Sequence, residues 1–393
     1  MGTPATTYSR THPWINFGLD LRHAGAEFWM LLGEARSKTE HLEGSLLKPE
    51  VAAEMNRVFL AKGVHATTAI EGNTLSEADT QRVIDGTLTL PASQEYLARE
   101  VQNVVTAYNS IKDHLVAGGS AAVDVALIRE FNRQVLEGLE LDDGVVPGEV
   151  RRHSVMVGRY RGAPADECEL LLGLLCDWLE GPTFTPPDPE LRVPWALLKA
   201  VMAHLYVAWI HPFGDGNGRT ARLMELQILL AAGMPMPATH LLSNHYNETR
   251  SEYYRQLDRA SASGGDIVPF LRYAIRGFVD GIRLQLEYVK AQQWDDRWEQ
   301  FVYETFGHTR TPAKERQRRL VLELSKLDTP VPRMQLPGLT PELFAAYSGT
   351  ERMLSRDLNA LRSLGLIERV PAGWRPTREQ ILAFLPIRRT APE

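Results

Sequence analysis

The chain has 393 residues, with 49 acidic against 43 basic side chains and a net charge of −6. Apolar residues make up 44% and charged residues 23%, which excludes a disordered, collagen-like or coiled-coil protein and leaves ample chain for two or three domains. No segment offers about 18 uninterrupted apolar residues, since the longest, Pro194 to Ile210, contains Lys199 and His204; no membrane-spanning helix and no membrane partner is expected.

The N-terminal residues Met1 to Arg10 are polar and lack the apolar run of a secretory signal. Cysteines occur only at Cys168 and Cys176, in one helix-like segment. That spacing suits neither a disulfide framework nor a zinc site, so a reducing, cytoplasmic setting is the default.

In chain order, apolar residues at three- and four-residue spacing predict helices over Phe28–Ala35, Val51–Ala61, Tyr96–His114 and Ala126–Leu139. The stretch Ser154-Val155-Met156-Val157, followed by Gly158, reads instead as part of a small hairpin. Helical spacing resumes over Leu170–Leu179, Trp195–Ile210, Ala221–Ala232, Ser251–Ala262 and Ile267–Val289, and the series runs on to about Gly307. Arg310-Thr311-Pro312 then breaks it. Helices over 314–327, 341–347 and 350–363 follow, then Ile367–Val370, Pro371-Ala372-Gly373 and Trp374-Arg375-Pro376. Three helices ahead of a strand–turn–strand resemble a winged helix-turn-helix. The fold class is therefore mainly α, with one small hairpin in the larger part and a second in the tail. Charge divides along the same line. Residues 310–393 carry 15 basic and 9 acidic side chains, a net of +6, and the rest carry 28 against 40.

Chemistry concentrates in residues 211–222, His-Pro-Phe-Gly-Asp-Gly-Asn-Gly-Arg-Thr-Ala-Arg. An apolar helix delivers the chain to His211, and Pro212 stops it. Gly214, Gly216 and Gly218 permit a tight loop, and a new helix starts near Asn217 or Gly218. Free N–H groups at such a helix start form an anion nest suited to phosphates. Arg219 and Arg222, spaced i,i+3, project from one face as two guanidinium forks. Asp215 offers a hard oxygen ligand for Mg²⁺ beside those phosphates. His211 is suited to taking a proton near neutral pH. The loop is neither a Walker A loop, which needs Gly-Lys-Ser/Thr, nor a dinucleotide fingerprint, which follows a strand.

These residues match the whole Fic-domain signature, His-x-Phe-x-Asp/Glu-Gly-Asn-Gly-Arg-x-x-Arg, and the chain resembles that family over most of its length. The resemblance implies a helical N-terminal region over 1–95, a catalytic core over 96–275, a connecting helix over 276–308 and a winged-helix appendage over 309–393. It implies transfer of AMP from ATP to a Ser, Thr or Tyr hydroxyl of a protein, including the enzyme itself, with pyrophosphate released. His211 would be the base and Asp215 would hold Mg²⁺. Gly214, Gly216, Asn217 and Gly218 would orient the α-phosphate, Arg219 would meet the β-phosphate and Arg222 the γ-phosphate. Gly218 speaks against the kinase-like Doc branch, which has Lys there. Thr67-Thr-Ala-Ile-Glu71-Gly72-Asn73 resembles the family's inhibitory motif, with Glu71 blocking Arg222. The hairpin at 154–163 falls where the family docks an extended target by strand addition. Tyr253 and Tyr254, after Arg250, form either an aromatic wall for adenine or core packing; where some relatives carry Asn, this chain has Ser261.

Two alternatives accompany this reading. The same loop could remove AMP, with Glu71 positioning a water. Or the winged helix could be the working part of a DNA-binding regulator, through Arg352, Arg356, Arg362, Arg369 and Arg375, opposed by Glu351 and Asp357. Protein contact through 309–393 and a homodimer are further partner readings.

Overall fold

The computed structural model describes residues 7–307, 311–348 and 351–382. Arg310 of the expected break lies outside them, as do residues 383–393 of the tail. The chain divides into two compact units, Met1–Glu287 and Tyr288–Glu393. Both are mainly α, as the periodicity predicts. Among the described residues the only sheets are two antiparallel pairs of short strands.

The first unit opens with α1 (Thr7–Thr11), α2 (Gly25–Glu43), α3 (Pro49–Ala69), α4 (Glu77–Ile84), α5 (Glu95–Val116) and α6 (Val125–Leu136). The hairpin follows, β1 (Met156–Val157) paired with β2 (Tyr160–Arg161). Then come α7 (Cys168–Leu179), α8 (Arg192–Ile210), α9 (Asn217–Ala231), α10 (Met236–Thr239), α11 (Leu241–Glu248), α12 (Arg250–Ala262) and the start of α13 (Val268–Phe306). Local chemistry sets several boundaries. Ser76 caps α4 by accepting from the Asp79 N–H, and Asp124 caps α6 by accepting from Leu127 at 2.7 Å. α6 ends three residues before the expected Leu139, where Glu137 turns extended. The short helices α4, α10 and α11 carry too few apolar repeats for spacing to reveal them.

α8 and α9 form the centre. α8 is apolar on nearly every side, and almost all of Val193–Ile210 is buried, the pattern of a helix surrounded by protein. It is long and apolar enough to span a bilayer by composition, yet most of it lies inside the first unit. α9 packs along it, and α3, α5 and α6 close over α9. The sharp return between α8 and α9 is the 211–216 loop, so the signature residues sit where the two most buried helices meet.

The second unit contains α14 (Pro312–Ser325), α15 (Pro341–Tyr347), α16 (Glu351–Ser363), β3 (Ile367–Val370) and β4 (Gly373–Pro376), the order expected. Val331 bridges to Trp374 and adds a third extended segment. Trp298, Val302 and Phe306 share its core with Leu320, Leu324, Leu358 and Leu361. The expected connecting helix, 276–308, is thus no separate element. It continues α13, and its apolar stripe of Trp298, Val302 and Phe306, spaced four residues apart, joins the second core, so the units divide at 287/288 instead of after 308.

Candidate active site

α8 ends at Ile210, and His211 takes a left-handed conformation, φ 50° and ψ 59°. Two non-glycine residues do so among those described. This twist sends the chain away from the helix axis and leaves the imidazole half-buried at the loop entrance. Burial, and then the nearby Arg151 cation, push His211 down to about 4, against the opposing pull of Glu71 and Asp215. The ring is therefore neutral and able to accept a proton at physiological pH.

The loop is braced from within. Asn217 accepts from the Phe213 N–H and donates to the Phe213 carbonyl, both at 2.9 Å. Gly216 adopts φ +75° at the helix start, which a residue with Cβ disfavours. Asn132 of α6 donates to the Asp215 carbonyl at 2.9 Å and accepts from Gly148. The first helical bond of α9 runs from Thr220 to Gly216. The N–H groups of Asn217, Gly218 and Arg219 lie ahead of it, without helical partners, as at any helix start. Asp215 points outward, half-exposed; it accepts from the Gly216 N–H and lies 3.4 Å from Arg219.

Both loop arginines are buried and engaged. Arg219, 4% exposed, donates to Glu100 of α5 at 3.1 Å. The other Glu100 oxygen accepts from Asn73 at 2.8 Å. Arg222, 1% exposed, donates to the Thr67 carbonyl at 2.9 Å and to the Glu71 carboxylate. Its Nε and Nη1 find no partner among the described residues. Thr67 is held in turn by Tyr108, 3.0 Å away. Burial alone would raise the Glu71 carboxyl, but Arg222 outweighs it and holds the group below its ordinary value. Glu71 lies just beyond the end of α3, and Gly72 follows at φ +105°. Gly218 makes room for it: a Cβ there would stand 2.1 Å from Glu71 Oε1.

A cavity of about 630 Å³ joins these parts. His211, Gly218 and Glu71 line one side, residues Val157–Tyr160 of the hairpin another, and Tyr253 and Tyr254 a third. Arg222 lies behind Glu71 and does not line it. Both tyrosines line the cavity, and they differ in burial. Tyr254 is partly exposed and its hydroxyl donates to the Ile70 carbonyl at 3.3 Å, whereas Tyr253 is buried and bonded to His204 at 2.8 Å. Ser261 is turned away, donating to Asp258, and does not line the cavity.

Three contributors escaped sequence reasoning: Asn132, Glu100 and Arg151. Asn132 and Glu100 sit on amphipathic helices far from the loop in sequence, and Arg151 lies in an unpatterned segment before the hairpin. Nothing local marks any of them.

Residues 122–229 match the Fic/DOC family. Protein adenylyltransferase fic-1 of Caenorhabditis elegans is 30% identical over 243 residues, covering 62% of this chain and 44% of that protein. Protein adenylyltransferase Fic of Nematostella vectensis is 29% identical over 213 residues, covering 54% and 45%. The chain thus spans less than half the length of these curated relatives. A solved segment of Fic-1 from C. elegans superposes with a TM-score of 0.56 at 27% identity, covering 72% of this chain and 76% of the segment. A Fic family protein from Desulfovibrio desulfuricans G20 shares the fold over 91% of this chain, with a TM-score of 0.54 at 22% identity.

Proposed function

We propose that this chain, which carries a Fic-type domain, is a protein adenylyltransferase that moves AMP from ATP to a protein hydroxyl and is restrained by Glu71. The observation carrying this reading is one cavity lined together by His211, by Gly218 in the first turn of α9 and by Val157 of the exposed strand β1. Met156 and Val157 of β1 are exposed, leaving main chain available to an extended segment of the target, or of the enzyme itself. His211 takes the proton of the target hydroxyl as its oxygen bonds to the α-phosphorus. The bond from that phosphorus to the bridging oxygen breaks, and pyrophosphate leaves. The 214–218 backbone and Asn217 orient the α-phosphate, Arg219 receives the β-phosphate and Arg222 the γ-phosphate. Tyr253 and Tyr254 supply a wall for the base.

Asp215 suits Mg²⁺: its carboxylate is half-exposed, and the described residues offer no cluster of three metal-ligating side chains. One carboxylate plus substrate phosphates is how that ion is commonly held. When bound, it neutralises phosphate charge. With both cysteines buried and unpaired, a reducing, cytoplasmic setting fits. The test is incubation of parent and Glu71→Gly protein with each of four labelled nucleoside triphosphates and Mg²⁺. Intact mass should rise by one AMP, and no gain with any nucleotide refutes the assignment.

A second reading concerns the C-terminal unit, taken as a winged helix. Asp357, which counts against DNA in the sequence, is turned inward. It is 3% exposed and accepts from Arg316, Gln317 and Tyr347. Leu354, Leu358 and Leu361 share its face, so Arg352 and Arg356 of α16 lie on the opposite, exposed one. Arg369 on β3 is exposed too, and no ion pair joins these three among the described residues. Three exposed arginines without a carboxylate partner among the described residues support duplex DNA as the ligand of that surface. The 393-residue chain should bind it with an affinity that falls as salt rises, and Arg352→Ala/Arg356→Ala should flatten the slope by about 2. Equal slopes for parent and variant would leave protein contact or a homodimer as the use of this face.

A further inference from the structure

Arg151 is buried, 3% exposed, yet no carboxylate pairs with it among the described residues. Its charge meets carbonyl oxygens only. Nε donates to His211 O at 2.7 Å, Nη1 to His153 O at 2.6 Å, and Nη2 to Ala163 O at 2.5 Å and, more distantly, to Ile210 O at 3.4 Å. Its own N–H donates to Pro212 O at 3.0 Å. Taking an unpaired cation out of water is costly, and here four carbonyl acceptors offset that cost. Only a planar fork reaches acceptors in so many directions.

The acceptors fall in two groups. His211, Ile210 and Pro212 make the exit from α8, where His211 holds its left-handed twist. His153 and Ala163 flank the hairpin on both sides. Ala163 N–H also donates to Ile210 O, and Gly162 N–H to Val155 O. One guanidinium therefore ties the base's main chain to both feet of the hairpin on which a target would lie.

We infer that Arg151 is a positioning residue that fixes the proton acceptor and the target-docking hairpin in one frame, so that hydroxyl and imidazole meet in register. This rests on the adenylyl-transfer reading. It does not touch substrate; it acts through His211 and the hairpin. Misplacing reacting groups by about 1 Å costs on the order of 10²-fold in rate, so the clamp should appear in kcat, while ATP binding, assigned above to the 214–218 backbone, Arg219 and Arg222, is spared.

The experiment compares Arg151→Met and Arg151→Lys in the uninhibited Glu71→Gly background, with two readouts. In the labelling assay, Arg151→Met should lower kcat by about 10²-fold with the KM for ATP within about twofold, and Arg151→Lys, which keeps the charge, should recover part of the loss. In hydrogen–deuterium exchange, peptides covering 154–163 and 207–213 should exchange faster in Arg151→Met while α3, α5 and α12 stay protected. A folded Arg151→Met that labels at the parental rate, or exchange unchanged in both peptides, overturns the inference. So does a loss that falls on KM alone. Should Arg151→Met fail to fold, Arg151→Lys decides: unaltered kcat and exchange overturn the inference, and selective loosening of the two peptides supports it. If Glu71→Gly protein labels nothing, the adenylyl-transfer reading fails, and the exchange comparison still shows whether Arg151 joins the two segments.

Discussion

Replacing Glu71 with glycine removes the only carboxylate on Arg222 among the described residues, and its effect can be sized from the contact. Arg222 is fully buried, and the Glu71 side chain is 30% exposed. Breaking a buried ion pair by removing one partner costs about 3–5 kcal/mol, and the partial exposure of Glu71 places this pair near the lower end. About 3 kcal/mol is on the order of 10²-fold in an equilibrium constant. If that free energy is what the γ-phosphate must overcome to reach Arg222, Glu71→Gly should raise the initial rate of self-labelling by about that factor. Bare ATP affinity should change less, since the loop backbone and Arg219 remain. Apo Glu71→Gly should also melt lower than the parent, and ATP with Mg²⁺ should restore more of its stability than it adds to the parent. Glu71→Gly/Arg222→Ala should be inactive, because the released arginine is then missing. The assay is intact-mass labelling across a range of ATP and Mg²⁺. A Glu71→Gly protein that labels no faster than the parent anywhere in that range refutes the restraint. A parent that strips AMP from a modified protein, with a variant that cannot, would instead assign Glu71 to water activation and removal of AMP.

His211→Ala should fold normally and lose labelling by about 10²–10⁴-fold, the usual contribution of a general base; full activity would reassign the proton acceptor. Gly218→Ala would place a Cβ 2.1 Å from Glu71 Oε1, so labelling by the parent should rise several-fold, and Glu71→Gly should respond far less to the same change; a rise of equal size in both backgrounds would show that the two positions do not compete. His240, buried beside the Tyr108 ring, is pushed down to about 4 by burial. Its neutral form is favoured in the folded state, so the stability it protects is complete above the unfolded value near 6.5 and drains as pH falls toward 4. About 2.5 pH units correspond to about 3 kcal/mol, and His240→Phe should flatten urea midpoints over that interval; parallel pH curves for parent and variant would rule His240 out as the cause. Ending the chain at Glu287 should give a better-behaved first unit than ending it at 309, which leaves Trp298, Val302 and Phe306 without their core; light scattering on the two truncations decides.

The loop was legible because its residues are contiguous. Three glycines, an Asp, an Asn and two Arg within twelve positions state their chemistry without knowledge of the fold. Glu71 was legible by resemblance, and its meeting with Arg222 depends on a long-range packing of α3 on α9 that no local spacing encodes. The helices emerged from periodicity wherever they had three or more apolar turns. Short α4, α10 and α11 did not, and the stripe of Trp298, Val302 and Phe306 looked like any helix face, since spacing reports that a face is buried and not against which core. Asp357 shows the same limit in charge. As a residue type it opposed nucleic acid, and only its inward turn toward Arg316 removes it from the exposed face. Arg151 was invisible, because carbonyl acceptors leave no trace in side-chain identity.

The two unsatisfied donors on Arg222 bear on how firmly the resting enzyme is shut. A buried donor without an acceptor raises the free energy of the state containing it by about 1–3 kcal/mol. The Glu71 carboxylate engages one corner of the guanidinium and leaves Nε and Nη1 without a protein partner among the described residues. A group with three acceptor oxygens could engage more of the fork than Glu71 does, and its advantage over the carboxylate comes from satisfying what the carboxylate leaves bare. On the adenylyl-transfer reading, labelling by the parent should therefore rise with nucleotide concentration, as phosphate competes with Glu71 for Arg222.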